Sequence, residues 1–507
     1  VRNVNISGNT RTIDPVIRRE MKVVEGQLYS ARGIRLSSSR IRRLGFFEDV
    51  AFESEPTDTP SQLDLAVKVA ERPTGSFSFG AGYSSQDGLV GTASLAQANF
   101  LGRGYAINLS VDVGSTTDRY QVSVSDPYFM GTTFSLSGSL YVTDVNYESF
   151  QVKQKGISLY VGHSLAEDNS ATGAVSYTWR SREVPAQDGY EASAALLRQV
   201  YQGNESASVI GISFNRDTRD DRFSATQGTN LGATVQYAGL GGFSRFLRFE
   251  AQAAWYLGAP SWLIDRSSFV LSGRIGYVIP FNEISDWDLA VDQTNLCSTP
   301  GSCNDQIARL DQIDTDMTLP LTERYFLGGI GPFQLRGYRA RSVGPRRAIL
   351  QQKVFPGEGT LFHPVGTVAD YDPVTQQYFA ECRDDGTTLG NGNGKCNQLD
   401  DRSVDDFADI YETDVVGGNS FISTSFEYRF AISDAVGLQG VVFVDGGNAF
   451  YEGQNLFDVT EWRYGYGAGV LWFSPFGPLQ LVLGFPVSPQ FFEESPVFEF
   501  SVGGFGL

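Results

Sequence analysis

The chain has 507 residues, a net charge of −19, 13% aromatic residues and only 19% charged residues. This negative balance disfavours nucleic-acid binding, which needs a basic surface, and a chain this rich in aromatic residues is not of the disordered class. The two histidines, His163 and His363, are far apart, so a zinc site or a histidine-based catalytic triad is poorly supplied. We therefore expect no metal.

Residues 1–72 are predicted to form a small α+β domain in the order β-α-α-β-β. Asp14 and Pro15 suit the start of a first helix, because aspartate is a favoured N-cap and proline fits the first helical position. A second helix is predicted over 31–44, and a final strand alternates apolar and polar residues over 63–69. The second helix carries a basic run that we interpret first as a solvated face, with a docking surface as the less favoured alternative: Arg32, Arg35, Arg40, Arg42 and Arg43.

From residue 73 to 507 the sequence alternates apolar and polar residues with a period of two, as in 107–113, 157–161 and 422–430. A soluble β-sandwich and a membrane barrel both produce this pattern. The polar partners are mostly small, the segments are about ten residues long, and short turns alternate with longer loops, which favours the barrel. We predict a mainly β fold, in which the α+β domain precedes an antiparallel transmembrane β-barrel of about 16 strands, with one strand pair in 171–215 left open.

One connection is far longer than the others and runs from about residue 282 to 418, in an extracellular or lumenal position. Connections of this length are usually functional or disordered. It holds all four cysteines in two close pairs, and short-loop disulfides in an oxidising compartment are favoured over a metal site. Its Asp, Gly and Asn content would suit calcium, but it lacks EF-hand spacing, so a solvated loop is the preferred interpretation. The predicted disulfides are Cys382–Cys396 and Cys297–Cys303.

Four short clusters stand out along the chain, and their order resembles that of the POTRA-plus-barrel outer-membrane assembly family. The resemblance extends over essentially the whole chain, with 1–72 similar to a single POTRA module and 75–80 similar to the first barrel strand. The family carries several POTRA modules and a terminal aromatic residue, so we expect missing upstream modules and note Leu507 as a departure. The clusters are Asp217-Thr218-Arg219-Asp220, Leu335-Arg336-Gly337-Tyr338, Val444-Asp445-Gly446-Gly447-Asn448 and Ser474-Pro475-Phe476-Gly477-Pro478-Leu479.

The resemblance implies an insertase that uses no covalent chemistry. We therefore expect that the protein is not an enzyme and that it needs no cofactor. Such a protein folds and inserts β-barrel proteins into the bacterial outer membrane and holds its POTRA domain in the periplasm. The implied partners are unfolded outer-membrane barrel proteins, accessory lipoproteins bound through the POTRA domain, the lipid bilayer and, as further candidates, periplasmic chaperones. Two alternatives stay open: a two-partner secretion transporter, which exports a protein through its lumen, and a passive outer-membrane channel.

The two ends of the barrel sequence bear on how such a protein would work. A barrel has no free edge only if its first and last strands pair fully. Pro496 and several glycines weaken the last strand, so an incoming strand can pair with the first strand by β-augmentation. From the residues alone, an exposed first-strand edge and a closing strand that is merely kinked are equally favoured. The resemblance favours the exposed edge and hence the insertase. The predicted substrate-pairing strand contains Gly75, Phe77, Phe79, Ala81 and Tyr83, and the closing strand contains Phe498, Phe500, Val502, Gly503 and Gly504.

The cluster Leu335, Arg336, Gly337 and Tyr338 resembles the lid-loop motif of the family, with Leu in place of the commoner Val and Tyr in place of Phe. Composition alone favours an exposed arginine in an extracellular loop. The resemblance implies instead that the loop folds back into the lumen, where Arg336 contacts Asp445. The alternation of its strand separates Asp445 from the flanking valines, and lipid would reject a carboxylate, so Asp445 should face the lumen.

Overall fold

The computed structural model describes residues 1–59, 61–85, 88–147, 150–185, 192–221, 224–260, 262–263, 267–282, 319–331, 333–355, 359–364, 369–372, 377–380, 413–451, 453–474, 477–490 and 493–502. Among these residues, no helix is both long and apolar enough to cross a membrane. The four cysteines lie outside the described residues, and so do Gly503 and Gly504. Both disulfides and the end of the predicted closing strand therefore stay predictions.

The N-terminal domain packs two helices against a three-stranded sheet. The middle strand of the sheet is parallel to the first and antiparallel to the other. Asp14 is the first helical residue and Ile13 is the N-cap, so the predicted capping role of Asp14 is wrong, whereas Ser30 does cap the second helix by accepting from the Gly33 amide. In chain order the elements are β1 (Val4–Ser7), α1 (Asp14–Arg18), α2 (Ala31–Arg43), β2 (Phe47–Pro56) and β3 (Leu63–Glu71).

Sixteen antiparallel strands close into a barrel, which confirms the predicted fold class and strand number. Successive strands pair with one another, and the last strand also pairs with the first. The barrel strands are β4 (Gly75–Ser84), β5 (Gly88–Phe100), β6 (Tyr105–Gly114), β7 (Thr117–Asp126), β8 (Phe134–Asn146), β9 (Gln151–Ser164), β10 (Ala171–Glu183), β12 (Asn204–Asp217), β13 (Gly228–Gly242), β14 (Phe246–Gly258), β15 (Ser268–Pro280), β21 (Ser420–Ser433), β22 (Leu438–Phe450), β23 (Arg463–Ser474), β24 (Gly477–Val487) and β25 (Val497–Val502).

The connections at one end of the barrel carry additional structure. A helix lies between β10 and β12, and short strands lie in the long connection between β15 and β21. These elements are β11 (Ala192–Ser193), α3 (Ala194–Gln202), β16 (Arg346–Phe355), β17 (Gly359–Pro364), β18 (Ala369–Asp372), β19 (Gln377–Ala380) and β20 (Thr413–Val415). Leu196 and Leu197 of α3 pack against Leu321, Phe326 and Val416, so the helix and the long connection share an apolar core over the barrel mouth.

Side chains along the barrel strands alternate between the outer surface and the interior, as the period of a strand requires. Phe77 and Phe79 of β4 are exposed on the outer surface, whereas Phe443 and Asp445 of β22 are buried inside. The N-terminal domain contacts the turns after β5 and β7, which fixes the end of the barrel at which it sits. Because strands alternate in direction, the long connection after β15 emerges at the opposite end.

Candidate functional site

The lid loop, defined here as residues 319–331 and 333–345, folds back into the barrel. A bridge between Leu327 and Val343 closes its two arms on each other. Leu327 and Leu335 are completely buried in an apolar cluster that includes side chains of the barrel wall. The motif therefore lies inside the barrel and not in an exposed extracellular loop, which composition alone had favoured.

Arg336 is held by two carboxylates and a hydroxyl group of the wall. Its Nε donates to Asp445 Oδ2 and its Nη2 to Asp445 Oδ1, both at 2.7 Å, and its backbone amide donates to Oδ2 at 3.0 Å. Nη2 also lies 2.8 Å from Glu427 Oε1 and donates to Ser425 Oγ at 2.8 Å. The double contact with Asp445 matches the planar fork of a guanidinium group.

The charges of this cluster balance each other. Glu427 also accepts from Arg429 at 2.7 Å, so two arginines face two carboxylates. The Arg336 and Asp445 side chains are 3% and 0% exposed, and the Arg336 guanidinium lies 3.7 Å from the centroid of the Phe443 ring. Because these ions are removed from water and paired, losing one of them would leave an uncompensated buried charge.

Glycines allow the lid loop to approach the wall closely. A Cβ on Gly465 of β23 would lie 2.0 Å from the carbonyl oxygen of Arg336, and one on Gly484 of β24 would lie 2.4 Å from the amide nitrogen of Gly337. Gly337 has a φ of +100°, which L side chains rarely adopt. The loop backbone therefore rests directly on two strands of the wall, and only residues without a side chain permit this contact.

The wall strand β22 has the facing that its sequence predicts. Val442 and Val444 are exposed on the outer surface, whereas Asp445 points inward. Tyr338 packs against the same region of the wall, where its hydroxyl donates to the carbonyl oxygen of Tyr464 at 3.0 Å. The wall thus provides an ion pair, a hydrogen bond and an apolar surface to one short turn of the lid loop.

Among the described residues, the seam between β25 and β4 is paired over a short stretch, next to which the Ser85 amide donates to the Phe500 carbonyl oxygen at 2.8 Å. Within the described residues, the register joins Ser501 to Ser84 and Val502 to Tyr83. On its other side β4 pairs with β5 along its whole length, from Gly75 to Ser84, so Gly75 and Ala81 are paired there. Among the described residues, β4 is therefore paired with β5 along its whole length and with β25 at its last two residues.

Aromatic side chains line the outer surface of the seam. The rings of Tyr83 and Phe500 stack across it with their centroids 5.2 Å apart. Phe77 and Phe79 on β4 are 67% and 83% exposed, and Phe498 on β25 is 57% exposed. At this edge, a ring contact on the outer surface accompanies the backbone pairing of Tyr83 and Ser84.

Two family models match the chain. One is described as the Omp85 superfamily domain and matches residues 99–505, and the other is the POTRA model, described as a surface antigen variable number repeat, which matches residues 1–72. The chain belongs to the Omp85 superfamily. The predicted resemblance is therefore confirmed.

Relatives within this superfamily resemble the chain from end to end. Outer membrane protein assembly factor BamA of Nitratidesulfovibrio vulgaris is 24% identical over 100% of this chain and 51% of its own length, and that of Neisseria meningitidis is 22% identical over 99% and 56%. A crystal structure of BamA from Haemophilus ducreyi lacking POTRA domains 1–3 has a TM-score of 0.71 at 20% identity, covering 99% of this chain and 83% of that one. The chain spans about half the length of the curated relatives it matches, and it is an outer-membrane protein.

The POTRA domain of this Omp85 chain docks on the first periplasmic turns of the barrel. The Ile13 amide donates to the Gly102 carbonyl oxygen at 3.0 Å, and Asn99 Nδ2 donates to Thr12 Oγ1 at 2.8 Å. A Cβ on Gly102 would lie 1.8 Å from the carbonyl oxygen of Arg11, so the two backbones touch. The loop before α1 therefore orients the domain together with the contact of Arg19 with Tyr128 in the turn after β7.

Glu71 organises this docking loop from the end of β3. Its carboxylate accepts from the amides of Arg11 and Thr12 at 2.9 and 2.6 Å and from Thr10 Oγ1 at 2.9 Å. Burial opposes the charged form of Glu71, but these hydrogen bonds outweigh it and lower the pKa of the carboxyl group. The charged form of Glu71 therefore stabilises the docking loop.

The basic helix α2 is only partly neutralised within its own domain. Arg40 pairs with Glu20 at 3.0 Å and Arg42 with Asp49 at 2.9 Å. Arg35 and Arg43 line an open groove between α2 and β2. The groove is also lined by apolar and hydroxyl side chains: Ile34, Val50, Phe52, Ser38 and Ser39.

The Asp217–Asp220 cluster forms a periplasmic turn between β12 and β13. Arg219 donates to both carboxylate oxygens of Asp217, at 2.9 and 2.8 Å. Asp220 accepts from the Thr226 hydroxyl and from the amides of Thr226 and Gln227, and the Thr226 hydrogen bond is the main cause that lowers the pKa of Asp220 to about 2. The cluster therefore stabilises a turn at the periplasmic end of the barrel.

Sequence reasoning missed three parts of the lid site. Glu427 is the second carboxylate on Arg336, and its inward position in the alternation of β21 was visible in the sequence. In the sequence, Gly465 is recognisable only as a small residue in a strand, because the residue it contacts, Arg336, lies in a distant loop. Glu323, which anchors the first part of the lid loop, carries no sequence signal at all. Within the described residues, no cluster of three or more His, Cys, Asp and Glu side chains is placed to hold a metal ion.

Proposed function

We propose that this chain is the POTRA-and-barrel part of an outer-membrane assembly factor that folds β-barrel proteins and inserts them through the seam between β25 and β4. The observation that carries the proposal is that, among the described residues, the ladder to β25 covers Tyr83 and Ser84 of β4, whereas the ladder to β5 covers the whole strand. The process uses hydrogen-bond exchange and lipid contact without covalent catalysis. The names of the relatives, which are outer membrane protein assembly factors, support the same role.

Strand exchange at the seam follows from the physics of the sheet edge. An unpaired edge presents a row of amide and carbonyl groups that cannot be left unsatisfied in lipid. A substrate strand that pairs with β4 satisfies these groups in exchange for the β25–β4 hydrogen bonds that it replaces. The exposed rings of Phe77 and Phe79 give the same edge an apolar outer surface for an incoming strand.

The lid loop supports an insertase over a passive channel. It occupies the lumen, and its Arg336 is buried on the wall beside Asp445. A passive channel conducts through its lumen, where this loop is held by a buried ion pair. The seam, in contrast, opens towards the membrane, where a barrel protein must be delivered.

The POTRA domain provides the periplasmic contacts of the proposed machine. Its α2–β2 groove presents Arg35 and Arg43 beside Ile34, Val50 and Phe52. We infer that accessory lipoproteins and unfolded barrel substrates dock on this domain, with periplasmic chaperones as further candidates for delivery. This interpretation favours the docking surface over the solvated face that the basic run alone indicated.

A disulfide across the seam tests the proposal. Ser84→Cys and Ser501→Cys place two thiols at directly opposed positions of β4 and β25. The oxidised protein, reconstituted in liposomes, should stay folded and fail to insert an added barrel protein, and reductant should restore insertion. The matched control is Ser78→Cys with Ser94→Cys, which links β4 to β5 at opposed positions without crossing the seam and should leave insertion intact.

Solute conductance of the same liposomes separates the alternatives. Insertion of the added protein without large conductance supports the insertase. Conductance without insertion, or insertion at the normal rate by the seam-locked protein, would contradict the proposal.

A further inference from the structure

We propose that Glu323 is a positioning residue that anchors the first part of the lid loop to the wall opposite the seam, so that the lid loop acts as a brace across the lumen. The brace would run from Glu323 to Arg336 and resist opening of the seam. This inference rests on the proposed function only where it concerns seam opening. The brace itself is a property of the barrel and can be measured without substrate.

Glu323 is the one carboxylate among the described residues of the lid loop, and it pairs with three arginines. Its side chain is 0% exposed and contacts three wall arginines. Arg182 lies 2.6 Å away and Arg248 2.8 Å away, and Arg180 also pairs with the carboxylate. A single buried carboxylate that serves three guanidinium groups makes any displacement of this part of the loop unfavourable, because several buried charges would lose their partner together.

Backbone contacts fix the same segment in place. Arg182 donates to the carbonyl oxygen of Thr322 at 3.0 Å, and Arg248 donates to that of Glu323 at 2.8 Å. The Tyr325 hydroxyl donates to Glu250 at 2.8 Å. The arginines therefore hold the position of the chain as well as the charge of one side chain.

The two anchors of the loop lie on different arcs of the barrel. Arg180 and Arg182 belong to β10 and Arg248 to β14, and these strands lie on either side of the point opposite the seam in the circular strand order. The Arg336 anchor lies on β21 and β22, and the adjacent turn rests on β23 and β24, next to β25. The lid loop thus connects the arc opposite the seam with the arc that ends at the seam.

A brace fixed at two ends makes a specific energetic prediction. Each anchor alone holds only one end, so breaking either one releases the same restraint. Two buried clusters on separate arcs would normally have additive effects on stability. As the two ends of one brace, their effects on seam opening must instead be non-additive.

The measurement is a distance distribution across the seam by pulsed electron spin resonance. Spin-labelled non-natural amino acids replace Leu89 of β5 and Leu483 of β24, which are exposed residues flanking the seam strands, so the native cysteines stay untouched. We expect Glu323→Gln to raise the open-to-closed ratio by about tenfold, which corresponds to about 1.4 kcal/mol. Arg336→Ala should have a similar effect, and the double variant should open no further than the larger single variant.

Two further variants serve as a milder test and as a control. Arg182→Gln leaves two arginines on Glu323 and should give a smaller shift in the same direction, which keeps the test valid if Glu323→Gln does not fold. Arg339→Gln removes an exposed ion pair between the lid loop and Glu494 of the β24–β25 connection and should leave the distances unchanged. A closed seam in both the Glu323 and Arg182 variants, or a double variant with multiplied effects, would overturn the brace.

The outcome also separates this inference from the proposed function. If the variants open the seam but the seam-locked protein still inserts substrate, the brace stands and insertion through the seam fails. If the lock blocks insertion but the variants leave the seam closed, the proposed function stands and the brace fails.

Discussion

The wall around the lid anchor and the wall at the seam are built from the same kind of strand but are held by different forces. β21 and β22 pair from Ser420 to Ser433 and enclose a buried, charge-balanced cluster around Arg336. β25 and β4 are joined, within the described residues, at Ser501 and Val502, with exposed aromatic rings outside.

Under the proposed function, this difference lets one part of the wall stay rigid while another part opens. A desolvated ion network is strongly destabilised by small displacements, because its charges have no water to replace a lost partner. A short ladder flanked by lipid-facing rings loses few interactions when it parts. In the proposed function, the lid anchor is therefore the rigid part of the wall, and the seam is the line along which the wall parts.

Removing the Arg336–Asp445 pair should have the largest effect. Arg336→Ala or Asp445→Ala breaks a buried, bidentate pair and should destabilise the barrel by ~3–5 kcal/mol. The double variant should be much less destabilised than the sum of the two single variants, since each has already lost the shared contact. Urea unfolding followed by heat-modifiable gel mobility measures these values.

A double-mutant cycle makes this prediction decisive. Strictly additive free energies would mean that Arg336 and Asp445 do not interact in the folded barrel. The exposed pair Arg18–Asp14 on the POTRA domain provides a matched control, with an expected coupling of about 0–1 kcal/mol.

The glycine contact under the lid loop should give the next largest effect. In Gly465→Ala the new methyl group overlaps the carbonyl oxygen of Arg336, a backbone atom that cannot move aside cheaply. We expect a loss of ~1–3 kcal/mol and weaker protection of the lid loop from protease. Gly273→Ala on β15, whose nearest neighbour is 3.6 Å away, is the control; equal behaviour of the two variants would show that the close approach is unimportant.

The POTRA junction should respond to pH through Glu71. The pKa of this carboxyl group is lowered in the folded protein, so its stabilising contribution is present above its unfolded pKa of about 4.3 and is lost as the pH falls through the lower folded value. Glu71→Gln should weaken docking by ~1–2 kcal/mol at neutral pH and remove part of the acid sensitivity. Hydrogen exchange of the Arg11 and Thr12 amides measures both, and an unchanged pH profile in the variant would rule out this role.

The smallest effect is expected at the exposed end of the lid loop. Arg339 and Glu494 form an ion pair whose side chains are 52% and 57% exposed. Arg339→Ala should change the unfolding free energy by only about 0–1 kcal/mol, with a further decrease at high salt. A loss as large as that of Arg336→Ala would show that burial does not set the ranking of these contacts.

Much of the lid site follows from local pattern once a family is suspected. The period of two separates Asp445 from Val442 and Val444, and lipid excludes the carboxylate from the outer face. The same reasoning places Glu427 inside, although the sequence does not indicate that it shares Arg336 with Asp445. The contact between Arg336 and Asp445 requires that a loop 109 residues away in the chain reach the level of Asp445 inside the barrel.

The sequence by itself determined the alternation of the strands, the break between the POTRA domain and the barrel, and the inward face of β22. These properties are local, because the pleat of a strand and the chemistry of lipid and water act on each residue in place. The tertiary structure alone decided which residues meet across the lumen. The three arginines on Glu323 come from two strands far apart in the chain, and the two ends of the barrel sequence meet at the seam through the curvature of sixteen strands. Such contacts depend on closure of the whole barrel, which no single stretch of residues encodes.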